Sequence, residues 1–354
     1  MYVIEKNRKF CDNLKRDVKK WCYGLLIILS VFTIYSIVDK AAKSQKLKNE
    51  ISSYAEKNIQ FVEVDNQKMS TYVVENESES SSNNFSLEQK TIVLLSELED
   101  PCPTISLKNI ADALAQKYRV IVIDYFGTGF SDSTKKERSA ENLVSEIHSA
   151  LNQLGVSKNK YSILTVKTSA RLAQFYSIKY SEEIEKIIGI DGNVESLLKE
   201  NLAKNRISEV DYINKVSSQQ DINYLFTRLL NFLGYKKYIW PLYDSYYAHF
   251  MSLEERQLVE ELFFSKGYNK EISNTLKHQV EIIEVCDKYK YPESIQVVDF
   301  VSNYRTKNEA KSNKKKLELY YQEKCKNPDN HKFYIIPGSL YTRMVNPKGI
   351  VELM

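Results

Sequence analysis

Glycine is sparse in this chain, 10 among 354 residues. Turns and oxyanion-binding loops of catalytic α/β folds rely on glycine for positive φ and close backbone approach, so such loops are built otherwise here or are missing. Histidine is rarer still. His148, His249, His278 and His331 are the four present, which leaves few groups able to move a proton near neutral pH. The five cysteines, Cys11, Cys22, Cys102, Cys286 and Cys325, are odd in number and show no CxxC or CxH spacing. That argues against a zinc site and against a disulfide framework. A single Cys286–Cys325 or Cys102–Cys286 bridge is an option beside the simpler reading of three unpaired thiols. No cofactor is expected. An excess of one charge sign is also lacking: 50 basic and 46 acidic residues leave a net +4, too little for a nucleic-acid footprint.

What is present suits a globular protein, with 43% hydrophobic and 27% charged residues. The length allows one large α/β domain with an appendage, or two modest domains. Residues 1–20 carry seven Lys/Arg against three acids, and Trp21 to Val38 is an uncharged run of 18 residues. As a helix it would be about 27 Å long, close to the hydrocarbon thickness of a bilayer. Trp21, Tyr23 and Tyr35 lie near its ends, where aromatic rings favour the interface. A cleaved signal peptide fits less well, because the basic stretch before it is long and no small-x-small site follows in Asp39-Lys40-Ala41-Ala42-Lys43. The expected organisation is a basic cytoplasmic tail (1–20), a single membrane-spanning helix (21–38) and a polar helical stalk (39–58). Lys40, Lys43, Lys46 and Lys48 follow the span, so the charge comparison favours a cytoplasmic N-terminus by a narrow margin. The main domain is then extracytoplasmic.

Ile59–Val64 and Met69–Val74 alternate in polarity around Asp65-Asn66-Gln67, a β-hairpin pattern. The Ser/Asn/Glu tract from Glu75 to Gln89 reads as a solvated loop. From Thr91 onward, apolar strand-like runs alternate with helical spacing. The strands are Thr91–Leu95, Tyr118–Tyr125, Tyr161–Val166, Ile184–Ile190, Ile295–Val301 and Lys332–Ile336. The helices between them are Ile105–Lys117, Ser139–Leu154 and Ser169–Tyr180, and a last one starts near Pro347. Such near-continuous apolar strands predict a mostly parallel sheet covered on both faces. Core segments 59–192 and 292–354 flank a helical stretch, 193–291, with ten aromatics between Tyr224 and Phe250 and a capping box at Ser252-Leu-Glu-Glu255. An insertion there is placed to act as a lid over the carboxyl ends of the strands. Its aromatics are either helical core or the lining of a lipid or peptide site.

Asp124-Tyr-Phe-Gly127-Thr-Gly129-Phe-Ser131 after a buried strand resembles the D-x-x-G-x-G-x-S turn of α/β-hydrolases. Tyr176 to Asp191 and the late stretch Ile335 to Pro347 resemble the same family. Residues 59–354 as a whole are thus similar to a bacterial membrane-anchored α/β-hydrolase with a helical cap. The resemblance implies a nucleophile on a G-x-S-x-G elbow, which falls on Val166-Lys167-Thr168-Ser169-Ala170. Thr168 then stands at the nucleophile position, with Ser169 one place beyond it. The loop that should supply oxyanion donors begins Ser96-Glu97, placing acid where negative charge should be stabilised. The expected histidine position is Leu340, which moves no proton. Ser302-Asn303 stands where the acid belongs, and Asp191 is the alternative acid or a turn cap. With nucleophile, base, acid and oxyanion loop all altered, the expected function is a membrane-anchored hydrolase-fold protein that is inactive or repurposed for binding or scaffolding. The alternative is a residual serine/threonine-type esterase, lipase or peptidase. The expected partners are the bilayer, through the N-terminal helix, and a lipid or peptide beneath the lid.

Overall fold

The computed structural model describes residues 2–75, 90–192, 209–235, 240, 249–267, 269–303, 314–338 and 346–354. Most of the Ser/Asn/Glu tract, much of the aromatic cluster, and Leu340 lie outside the described residues. The chain opens with one continuous helix, α1 (Tyr2–Asn58), so the expected span and stalk are not separate elements. Lys15–Asp39 is long and apolar enough to cross a membrane. Most of its large side chains point away from protein, Trp21 being 82% and Ile28 66% exposed. Further along, Tyr54 is buried and stacks on Phe130, with ring centroids 5.9 Å apart. The helix is therefore held against the domain at its C-terminal end.

β1 (Gln60–Val64) and β2 (Gln67–Val74) pair antiparallel. The two residues joining them, Asp65 and Asn66, have φ of 54° and 59°, the left-handed pair that matches a tight hairpin to the strand twist. β2 then pairs antiparallel with β4 (Arg119–Ile123). From there the sheet is parallel: β4, β3 (Thr91–Leu95), β5 (Tyr161–Val166), β6 (Ile184–Ile190), β7 (Gln296–Ser302) and β8 (His331–Ile336) lie side by side in that order. Val93, Ile121, Ile163 and Ile187 face one side, and Leu94, Val122, Leu164 and Ile188 the other. A sheet buried on both faces needs apolar residues at successive positions rather than at alternate ones, and the sequence supplies them.

The first face is covered by α4 (Ala140–Gln153), α5 (Ser169–Lys179) and α9 (Gln279–Cys286), and the second by α3 (Lys108–Leu114) and α11 (Pro347–Leu353). The helix expected over Ile105–Lys117 is broken in two, because a short α2 (Pro103–Ser106) ends at Leu107 before α3 begins. Between β6 and β7 lie α6 (Glu209–Phe232), α7 (Leu253–Lys266), α8 (Lys270–Lys277) and α9; α10 (Lys314–Glu323) precedes β8. The capping box that opens α7 is formed in both directions: Glu255 N–H bonds Ser252 Oγ, and Ser252 N–H bonds the Glu255 carboxylate. These inserted helices rest on the loops that follow β3 and β4. Leu258 and Leu262 pack with Cys102 and Ile105, and the Asn269 amide bonds the Gly127 carbonyl. Cys102, Cys286 and Cys325 are buried and none of them is joined in a disulfide, so neither expected bridge is present.

Candidate functional site at the strand ends

The carboxyl ends of β3, β5 and β6 converge on three short connections: 96–100, 167–168 and 191–192. After β5 the chain turns sharply into α5, and the residue with positive φ is Lys167, at 51°. Thr168 is ordinary right-handed helical backbone, φ −59° and ψ −26°. The apex of the elbow is therefore Lys167, one position before the expected Thr168. The small residues that crowding demands two places either side are then Thr165 and Ser169, both fully buried. Lysine has no intrinsic preference for this conformation. Its N–H donates to the Ile190 carbonyl (3.0 Å), its carbonyl accepts from Ala170 N–H (3.1 Å), and its Nζ lies 2.6 Å from Glu97 Oε2.

Ser169 does not face solvent. Its Oγ accepts from Val166 N–H at 2.9 Å, and its proton faces the Leu95 and Val166 carbonyls, so it locks the turn to β3. Thr168 is engaged twice: Oγ1 accepts from Leu98 N–H at 2.9 Å and lies 3.1 Å from Glu99 Oε2, to which it donates. One backbone donor of the 96–100 loop, Leu98 N–H, thus has its partner in the Thr168 hydroxyl.

The 96–100 loop departs from the expected acidic hole in a second respect. Glu97 is not bare negative charge, since Lys167 compensates it. Ser96 is fully buried and donates to Asp100 Oδ2 at 2.5 Å; Ser106 bonds the same oxygen, and Cys102 N–H reaches Asp100 Oδ1 at 3.0 Å. Ser96 and Asp100 therefore shape the loop. Glu99 is the perturbed group here: burial first, then the Glu97 charge, pushes its carboxyl from 4.5 up to about 7, while the Thr168 bond and Lys167 pull the other way.

Asp191 ends β6 with φ 50° and is buried. Its Oδ1 accepts from Ser302 N–H at 2.8 Å, so it ties the ends of β6 and β7 together. Asn303, at the expected acid position, accepts from Gly338 N–H at 3.2 Å. Gly192 is required where α5 begins, because a Cβ there would come 2.7 Å from that of Ala170. The histidines engage elsewhere. His148 bonds Glu183 (3.1 Å) and stacks on Tyr180, and His278 Nδ1 bonds the Asn274 carbonyl (2.9 Å).

One pair was not anticipated. His331 Nε2 lies 3.0 Å from Asp299 Oδ2, with both side chains almost wholly buried. Burial raises the Asp299 carboxyl above its ordinary range, and the bond to His331 opposes that. Gly189 lies opposite, where a Cβ would overlap the carboxylate. An acidic residue inside an apolar strand and a histidine at the start of the next were the available signals. The pair is not at the elbow, however. In register His331 faces Val297, whereas the elbow follows the Ile190–Phe300 level, about 13 Å further along the strands at 3.3 Å per residue.

The strand order, the elbow and the inserted helices can be set against known proteins. No protein-family model matches the chain. The uncharacterized protein YbdG of Bacillus subtilis (strain 168) is 23% identical over 256 residues, which is 71% of this chain and 68% of that protein. The epoxide hydrolase VrEH1 of Vigna radiata superposes with a TM-score of 0.59 at 12% identity, over 83% of this chain and 96% of its own. MGS-M2, an α/β hydrolase enzyme from a Medee basin deep-sea metagenome library, gives 0.54 at 13% identity, over 83% and 95%. The fold is that of the α/β-hydrolases. In this chain Lys167 stands at the apex of the β5–α5 elbow, and the D-x-x-G-x-G-x-S turn is held by its own bonds. Asp124 Oδ1 accepts from Thr104 N–H (2.9 Å) and Oδ2 from the Ser70 hydroxyl (2.6 Å), while Ser131 Oγ bonds the Asp124 carbonyl (2.8 Å).

Proposed function

We propose that this chain is a membrane-anchored protein of α/β-hydrolase fold that has given up acyl transfer and serves in binding or scaffolding, with the inserted helices as its lid. The observation that carries the reading is the closed network at the elbow. Lys167 stands at the apex with its Nζ held 2.6 Å from Glu97 Oε2. Thr168 and Leu98 satisfy one another, and Ser169 is fully buried. A residual serine/threonine hydrolase would need one of those hydroxyls released and a base beside it. That alternative keeps one contact, Thr168 donating to Glu99 Oε2 at 3.1 Å, but the same Thr168 oxygen is held by Leu98 N–H.

Exposure of the apolar side chains on Lys15–Asp39 supports anchoring, and the excess of Lys/Arg before the span supports an extracytoplasmic domain. Full-length protein in detergent, treated with a fluorophosphonate probe and with a short-chain nitrophenyl ester, is the direct test. Labelling and turnover are expected to stay at the level of the Thr168→Ala, Ser169→Ala double variant. Labelling that this double substitution abolishes would reject the reading.

A further inference from the structure

We infer that α6 lies with one face in the same membrane leaflet that receives the C-terminal end of the anchor, so that the lid is partly embedded in lipid. The inference rests on the reading of α1 as membrane-spanning. Along α6, Ile222, Leu225, Phe226, Leu229 and Phe232 are 52–68% exposed. At 100° per residue they occupy one arc of about 120°. The other side of the helix carries buried Thr227 and packs on α7, α8 and α9. An apolar stripe this long is unusual on a water-facing helix and marks a lipid or partner surface.

The location of the stripe decides the occupant. Just beyond α6 the chain meets α1 within its apolar segment. Tyr235 stacks on Phe32, with centroids 5.6 Å apart, and its hydroxyl is 2.5 Å from Thr33 Oγ1. Gly234, at φ 73°, sits so close to Ser36 that a Cβ would overlap the Ser36 carbonyl. A small residue at the crossing and a hydroxyl–hydroxyl bond are the means by which helices associate inside a bilayer, where apolar side chains have no reason to prefer each other over lipid. Phe32 to Ser36 lie within about 9 Å of the end of the 18-residue run at Val38, at 1.5 Å per residue. Interfacial helices bury their apolar face to roughly 5–10 Å. The stripe of α6 thus begins at the depth where the anchor leaves the hydrocarbon. Arg228, exposed on the edge of the stripe, can extend its long side chain to the phosphate level.

The test uses the full chain with Cys11→Ser and Cys22→Ser, reconstituted in phosphatidylcholine–phosphatidylglycerol vesicles. An environment-sensitive label is attached through Leu229→Cys or, as a second position on the stripe, Leu225→Cys. Ile27→Cys reports the anchor, and exposed Glu182→Cys reports the far side of the domain. Blue-shifted emission is expected at all three positions relative to Glu182, quenched severalfold by shallow doxyl lipids at Leu229 and Leu225 and by deep doxyl lipids at mid-span Ile27. Water-like emission at both stripe positions with Ile27 quenched overturns the inference and leaves the anchor standing. Blue-shifted but unquenched stripe labels assign the face to a protein partner and also overturn it. An unquenched Ile27 label rejects the membrane reading itself, and this inference with it.

Discussion

At the scale of single residues, the elbow is an ion pair and two hydroxyl bonds where a hydrolase keeps reactive groups. Lys167 and Glu97 are 19% and 20% exposed, so their attraction is less screened than on a free surface. Lys167→Met and Glu97→Gln are each expected to destabilise the protein by about 1–2 kcal/mol, and the double variant by less than their sum. Thermal unfolding of the four proteins in detergent gives the coupling. Glu99 predicts a pH dependence. Its carboxyl is raised from 4.5 to about 7, so between those values the folded protein holds a proton that the unfolded chain has released. Stability from this group is therefore full below about pH 4.5 and is lost as pH rises through 7. At full strength the shift corresponds to about 3 kcal/mol, and partial solvent access lowers it to about 1–2. Glu99→Gln should raise the unfolding temperature at pH 8 and flatten its fall between pH 5 and 8. Unchanged profiles would show that Glu99 is ionised in the folded protein throughout that range.

At the scale of elements, local signals and tertiary contacts can be separated by substitution. The Ser252 capping box was readable from its spacing, and Ser252→Ala should cost about 1 kcal/mol by freeing a helix N-terminal donor. Gly129 is a different case. Its φ is 50°, and a Cβ would enter the Asp124 carboxylate, which holds β2, the loop after β3 and the β4 turn together. Gly129→Ala should cost about 3 kcal/mol or more, through backbone strain and loss of those bonds. If a urea titration found the two substitutions equal, the carboxylate hub would not be the keystone of the turn.

At the scale of the whole molecule, α1 carries the candidate span and reaches the domain as one helix. It packs on the domain at Tyr54 and meets the turn after α6 at Phe32 to Ser36, about 27 Å apart along an 18-residue stretch of helix. The proposed topology, with a cytoplasmic N-terminus, is tested on cells. In intact cells, added protease should remove the domain and leave the segment before Trp21 protected, and the anchored fragment should resist alkaline carbonate. Protection of the domain instead would reverse the orientation.

The sequence by itself determined the strands and their nearly continuous burial, because apolar runs of five to seven residues between helical periods admit little else. It also determined the hairpin turn, the α7 cap and the apolar length of the candidate span, all of which depend on residues close together in the chain. Only the tertiary structure decided the chemistry of the elbow. Nothing local to Lys167 favours positive φ; Ile190, Ala170 and Glu97, brought by two other strands and a helix, hold it there. A hydroxyl-bearing Thr168 therefore read as the apex when the backbone places it one step into the helix. For the same reason the Asp299–His331 pair, 32 residues apart in the chain, was invisible until β7 and β8 lay side by side.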